Sequence, residues 1–273
     1  MSGREPPDAG RDDEEVLPGG VGNAGQVVRV GEFVLRPTSA HTPVIHALLR
    51  HLRGAGFGGV PEVVGVDPDG RERLVYIEGD VPSLPYPAWS LTDDALASMA
   101  ALLRRYHEAA AGFVAPPGVT WSDELADPAG GTLVCHNDVC PENVVFRDGV
   151  AVALLDFEFA APGRPLYDLS QLAKMNVPLD TPEDALRTRG HAPDVFTRLR
   201  VVADAYGLPP GRAEFLAVLA GSMDPVGGLV ERRVARGEPA FIEMWEQMGG
   251  RARYEHRQAW FEAQRARFAD ALG

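Results

Sequence analysis

The chain has 273 residues, of which 45% are hydrophobic and 24% charged, and a formal net charge of −13. That length suits one large domain or two lobes with a sizeable core, and no apolar run reaches the roughly 18 residues a membrane-spanning helix needs. The acidic balance argues against a nucleic-acid partner, because phosphate contacts require basic surface; it is compatible with a cationic substrate or with a solvated acidic face.

Residues 1–14, rich in Asp, Glu, Pro and Gly, are expected to form a disordered acidic tail. They lack the apolar core of a signal peptide, so a cytoplasmic location and no membrane partner are expected. Val16-Leu17 leads into Gly19-Gly20-Val21-Gly22-Asn23-Ala24-Gly25. Strand-type runs Gln26–Val30 and Phe33–Arg36 follow, around the turn Gly31-Glu32. A G-x-G-x-x-G run passing from strand to strand, rather than from strand to helix, fits a phosphate-covering loop better than a dinucleotide fold. Gly20, Gly22 and Gly25, with Asn23 among them, would let backbone N–H groups approach phosphate oxygens. Hairpin register puts Arg36 opposite Val27, just past this loop. Thr42-Pro43 predicts a helix start with the Thr hydroxyl as its cap, and Gly54 and Gly56 predict its end. Strands are expected near Glu62–Val66 and Arg73–Ile77, and the Gly/Pro-rich run Glu78–Pro87 reads as a hinge.

Asp93–Ala110 has the periodicity of an amphipathic helix. The segment 133–158 comes next and carries the most chemistry. His136, Asp138 and Asn143 form the pattern H-x-D-x-x-x-x-N. Val144–Arg147 and Val150–Leu155 flank Asp148-Gly149, a strong two-residue turn signal. In such a hairpin Arg147 faces Val150, and Asn143 faces Leu154, two residues before Asp156. Two carboxylates and one amide then converge at the open end, roughly 5–8 Å apart. All are oxygen donors, a set that suits Mg2+ better than zinc. The two cysteines, Cys135 and Cys140, have no second cluster to complete a zinc site and read as reduced core thiols. From Asp168 onward helices are expected at about 166–176, 194–206, 211–222, 225–236 and 239–269. The chain uses one lysine, Lys174, against 25 arginines.

This segment resembles the catalytic and metal loops of the aminoglycoside phosphotransferase family, which is similar to choline kinases and, more remotely, to protein kinases. His136-Asn137-Asp138 through Asn143 matches the catalytic loop, and Leu155-Asp156-Phe157-Glu158 the metal loop. Within the family the chain looks most like small bacterial phosphotransferase-like proteins, some labelled for trifolitoxin immunity. The resemblance implies a two-lobed α+β, protein-kinase-like fold. A small β-rich N-lobe over 15–80 would bind nucleotide, and a helical C-lobe over 81–273 would carry catalysis and the acceptor. It implies transfer of the γ-phosphoryl group of ATP or GTP, with Mg2+, to a hydroxyl of a small molecule, an antibiotic such as an aminoglycoside being one candidate. Asp138 would accept or orient the hydroxyl proton, His136 would brace the loop, and Asn143 and Asp156 would hold the metal. Arg36 stands where the family has a phosphate-binding lysine, and the following helix lacks the usual Glu, leaving His46 or His51 as the nearest partner. Asp168 would cap a helix or support the catalytic loop. The missing Lys–Glu pair keeps one alternative in view, a catalytically weak or inactive kinase-like binding or immunity protein.

Overall fold

The computed structural model describes residues 14–17, 25–223 and 228–273. The expected acidic tail therefore lies, apart from Glu14, outside the described residues. Five short strands form the first layer: β1 (Glu15–Val16), β2 (Val28–Val30), β3 (Phe33–Pro37), β4 (Val63–Val66) and β5 (Arg71–Val75), in the order β1-β2-β3-β5-β4 with every pairing antiparallel. Val28 faces Leu35, which is the register expected around Gly31-Glu32. On β5, Glu72 and Leu74 are both buried, because residues two apart share a face. Helix α1 (Thr42–Gly54) covers that face with Val44, Ile45, Leu48, Leu49 and Leu52. Its cap differs from expectation. His41 holds the N-cap position without a side-chain bond, and the Thr42 hydroxyl instead accepts the Ser39 N–H at 2.8 Å.

The second part is built on α2 (Asp93–Ala110), whose first turn is closed by Thr92 Oγ accepting the Ala95 N–H at 3.2 Å. Leu96, Met99, Leu102, Leu103 and Tyr106 of α2 are fully buried. The two-stranded pairs β6 (Leu133–Cys135) with β9 (Ala161–Gly163), and β7 (Val144–Arg147) with β8 (Val150–Leu154), lie beside it. Helices α3 (Pro165–Asn176), α4 (Pro182–Arg189), α5 (Val195–Tyr206), α6 (Ala213–Ser222), α7 (Leu229–Ala235), α8 (Pro239–Gln247), α9 (Gly250–Ala263) and α10 (Arg265–Leu272) complete the chain. Leu199 and Val202 of α5 join the α2 core. The single helix expected over 239–269 is three helices. Gly249 and Gly250, at φ 87° and 59°, stop α8, since left-handed residues cannot continue a right-handed helix.

Two details of this layout bear on the site. The β7–β8 register shifts by one residue between Val145 and Phe146. Arg147 faces Val150 as expected, but Val144 faces Leu154, and Leu155 N–H donates to the Asn143 carbonyl at 2.8 Å. Asn143 is therefore opposite Leu155, one residue nearer Asp156 than a regular hairpin would put it. The cause is a bulge on β8, an extra residue that re-aims the rest of the strand. The expected hinge is also a structural strap. Asp80 and Phe146 exchange both backbone hydrogen bonds at 2.8 Å, so the segment after the sheet runs along the other edge of β7.

Candidate active site

The loop between β6 and β7 carries His136, Asp138 and Asn143. His136 is fully buried. Its Nε2–H donates to the Leu155 carbonyl at 2.8 Å, and its Nδ1 accepts the Asp138 N–H at 3.2 Å. One tautomer, with the proton on Nε2, satisfies both bonds. The ring packs on Phe157 with centroids 4.6 Å apart. His136 thus ties the catalytic loop to the chain just before Asp156, the bracing role expected of it.

Asp168, in the first turn of α3, supports this loop from below. Its two oxygens accept the N–H groups of His136 (2.7 Å) and Asn137 (2.8 Å), and Nε2 of His107 donates to it at 2.9 Å. Of the two roles open to Asp168, the structure shows loop support. Burial raises its pKa, but these donors outweigh that and hold it below the usual carboxylate range. Asn137 sits at φ 67° and Asp156 at φ 54°. Left-handed backbone at two non-glycine residues stores strain that the surrounding bonds must hold. His107, Cys135 and Asp168 also lie within metal-ligating distance of one another. The imidazole of His107 is already bonded to Tyr206 and Asp168, however, and burial pushes the Cys135 thiol far up. His107 and Asp168 are a hydrogen-bonded pair beneath the loop, Cys135 Sγ donates to the Arg164 carbonyl, and both cysteines are free.

Asn143 Nδ2 donates to the Asp138 carboxylate at 2.7 Å and to its carbonyl at 2.9 Å. Asn143 Oδ1 is then turned away from Asp138. Burial, with a smaller push from Asp156, raises the Asp138 pKa to about 6, against the pull of His136. Across the cleft, Arg36 of β3 donates from Nη1 to Asp156 Oδ1 at 2.9 Å and from Nε to Glu72 Oε1. Glu72 faces Arg36 directly in the β3–β5 register. Its other oxygen is bonded to His46 Nε2 at 2.6 Å. The partner of Arg36 is therefore a strand Glu, with His46 bracing it, whereas His51 goes to the Ala109 carbonyl. The carboxylate that meets Arg36 in the sheet thus comes from the neighbouring strand and not from α1. Burial disfavours the Arg36 charge, but Asp156 and Glu72 more than compensate, and its pKa stands above the usual value.

Asp138, Asn143 and Asp156 thus meet at one hairpin end as expected, and Arg36, placed from sequence only beside the Gly-rich run, reaches Asp156. Glu72 and His107 belong to the same network and were missed from sequence, although the parity of Glu72 with Leu74 marked it as inward-facing. Gly20, Gly22 and Asn23 lie outside the described residues. Gly25 has a left-handed φ of 74° in the turn before β2. The donors Asn143 and Asp156 are both oxygen ligands at one end of a hairpin, a set that fits Mg2+.

A small antiparallel sheet with one crossing helix, joined through a strap to a helical lobe whose loop holds these groups, defines a protein-kinase-like phosphotransferase. The sequence model of the phosphotransferase enzyme family matches residues 119–202. The trifolitoxin immunity protein of Rhizobium leguminosarum bv. trifolii is 35% identical over 201 residues, covering 72% of this chain and 75% of that protein. The chain belongs to this phosphotransferase family. A choline/ethanolamine kinase family protein from Mesorhizobium loti has the same fold, with a TM-score of 0.62 and 20% identity over 97% of this chain and 94% of that one. A GDP complex of a mutant aminoglycoside 2'-phosphotransferase-IIIa also scores 0.62, with 16% identity over 95% of both chains. The gentamicin complex of APH(2")-IIa scores 0.58, with 16% identity over 89% and 93%. Among the described residues no helix is long and apolar enough to cross a membrane.

Proposed function

We propose that the protein transfers the γ-phosphoryl group of ATP or GTP to a hydroxyl of a small molecule in the cytoplasm. The observation that carries this reading is the convergence of Asp138, Asn143 and Asp156 at one hairpin end, with Arg36 reaching Asp156 from the sheet. Asp138 takes the acceptor's hydroxyl proton as the hydroxyl oxygen bonds to the γ-phosphorus; the bond to the nucleoside diphosphate breaks and the diphosphate leaves. A carboxylate with a pKa near 6 is ionised at neutral pH yet basic enough to accept that proton. Asn143 and Asp156 would hold Mg2+, which when bound neutralises charge on the β- and γ-phosphates. Arg36 replaces the family lysine as phosphate ligand, oriented by Glu72 and His46. Gly20, Gly22, Asn23 and Gly25 cradle the phosphates in a nucleotide-binding N-lobe over 15–80, and the C-lobe over 81–273 holds the acceptor. Structures of the same fold are complexed with gentamicin or kanamycin, so aminoglycosides belong in any screen of hydroxylated acceptors.

The relative named an immunity protein favours a second reading, a kinase-like binder without turnover. A single screen separates the two. Purified protein with Mg2+ and ATP or GTP is offered hydroxylated metabolites and antibiotics, and products are weighed by mass spectrometry. Gain of one phosphate on an acceptor supports the transferase. Nucleotide binding without any product across the panel, or no nucleotide binding by calorimetry, supports the binder.

A further inference from the structure

Between α3 and α6 lies a cleft of about 880 Å³, within the roughly 300–1,000 Å³ of small-molecule sites. Tyr167, Gln171 and Lys174 line it from one face of α3, as spacings of four and three residues require. Two of the four acids that line it are already matched. Asp127 binds Arg164, and Glu124 binds Arg233 and Arg236. Asp123 and Glu214 stand at exposed positions.

The Lys174 side of the cleft is different. Lys174 Nζ donates to the Ser222 carbonyl at 3.2 Å, and no carboxylate among the described residues is in ion-pair contact with it. Arg257, beside it, donates to the carbonyls of Leu179 (3.2 Å) and Lys174 (3.1 Å). Burial lowers the Lys174 pKa to about 8, with Arg257 pushing the same way and Asp138 opposing. Two neighbouring half-buried cations without a hydrogen-bonded anion carry a desolvation cost, and this occurs in a chain of net charge −13. Gln171 is 1% exposed, and its Oε1 has no partner.

We propose that this cleft receives the phosphoryl acceptor and that the acceptor is a hydroxyl-bearing carboxylic acid whose carboxylate is bound by Lys174. The inference rests on the phosphotransferase reading above. The ammonium has donors to spare beyond Ser222, and Gln171 Oε1 takes an N–H or O–H of the same molecule. The helix that carries Lys174 is fastened to the catalytic loop at both ends, Asp168 accepting the His136 and Asn137 N–H groups and Asn176 Nδ2 donating to the Val139 carbonyl at 2.7 Å, so a hydroxyl a few atoms from the bound carboxylate is directed toward Asp138. Lys174 is then a specificity-determining residue. Asp123 and Glu214 leave the exposed part of the cleft suited to a neutral or amino end.

Because Lys174 is the one lysine of the chain, protein grown on lysine labelled with 13C at Cε gives a single lysine NMR signal. Glycerate, threonine and gluconate are compared with glycerol, threoninamide and glucose, which keep hydroxyls and lack the carboxylate. The acids should move the signal and raise its titration midpoint from about 8 to about 9 or more, and the uncharged or amidated counterparts should not. In turnover with ATP or GTP, the acids should gain phosphate. Lys174→Met should raise acceptor KM at least about tenfold with nucleotide KM unchanged, and Lys174→Arg should recover part of that loss. A signal unmoved by every acid overturns the proposal, as does an uncharged or cationic acceptor phosphorylated with equal KM by the parent and Lys174→Met. A signal that moves with the acids while calorimetry finds no nucleotide binding leaves the carboxylate site standing and removes the phosphotransferase reading instead. The NMR measurement uses the parent protein, so it decides even where the Met variant fails to fold.

Discussion

Asp138 is kept at a cost that can be measured. Its pKa of about 6 lies above the ordinary 3.8, so the folded state binds this proton more tightly than the unfolded chain does. The charged form is then disfavoured in the folded state above pH 6; that penalty fades as pH falls from 6 and is gone below 4. Two pKa steps correspond to an upper figure of about 3 kcal/mol. Asp138→Asn should therefore stabilise the metal-free protein at pH 8 by about 1–3 kcal/mol and bring no gain at pH 4, while turnover falls by about 10²–10⁴. Urea melts in chelator at the two pH values read the first effect. A variant less stable than the parent at pH 8 would mean that the carboxylate is not penalised where it sits. Glu72 behaves in the opposite way. Burial raises its pKa, but His46 and Arg36 overcome this and hold it below its usual value. Its Gln variant leaves Arg36 buried with half of its charge partners, and should cost about 3 kcal/mol or more. Loss of less than about 1 kcal/mol in thermal or urea unfolding would show that Asp156 alone suffices to hold Arg36.

The catalytic hairpin is an element whose register and edge both matter. Gly79, at φ 149°, passes so close to β7 that an added Cβ would lie 2.5 Å from Val145 Cγ1 and 2.6 Å from the Phe146 carbonyl. Gly79→Ala should therefore lower stability by more than about 2 kcal/mol and loosen the Asp80–Phe146 pairing. Hydrogen exchange at the Phe146 amide checks this, and unchanged protection there would separate the strap from the hairpin. At this scale the sequence was informative where a local signal existed. Asp148-Gly149 announced the turn, the periodicity of Asp93–Ala110 announced α2, and the H-x-D-x-x-x-x-N spacing announced the loop. It was silent where the cause is tertiary. The β8 bulge has no glycine to mark it. The pairing of β5 beside β3, which delivers Glu72 to Arg36, joins strands more than 30 residues apart in sequence. Helix α4, Pro182–Arg189, was not foreseen, although Thr181 caps it through the Asp184 N–H and Gly190 ends it at φ 73°; its short charged repeat carries little apolar periodicity.

At the scale of the whole molecule, both halves contribute charge to one cleft. Arg36, Glu72 and His46 come from the sheet and its helix; Asp138, Asn143 and Asp156 come from the hairpin region. In the proposed reaction nucleotide enters a cleft whose floor carries two carboxylates, in a chain of net charge −13. Triphosphate alone is repelled by that floor, and a divalent cation reverses the local sign. ATP or GTP with Mg2+ should therefore raise the melting temperature, by an amount that grows with the logarithm of ligand concentration above Kd. The same nucleotide in excess chelator should produce little shift. Equal shifts with and without the metal, followed by thermal scanning, would remove Asn143 and Asp156 from nucleotide binding. The same measurement on Asp156→Ala should show no metal-dependent component.

The contact between Arg36 and Asp156, described above as a link across the cleft, makes the guanidinium a competitor of the metal. Asp156 Oδ1 is already satisfied by a cation at 2.9 Å, so a divalent ion arriving alone must displace it, and gains correspondingly less. When triphosphate arrives with the ion, Arg36 has somewhere else to go, and the exchange costs little. The protein would thereby read metal and nucleotide as a joint signal and stay indifferent to free Mg2+. Arg36→Ala should invert that behaviour: Mn2+ binding without nucleotide, followed by electron paramagnetic resonance, should tighten, while nucleotide binding in the presence of metal should weaken.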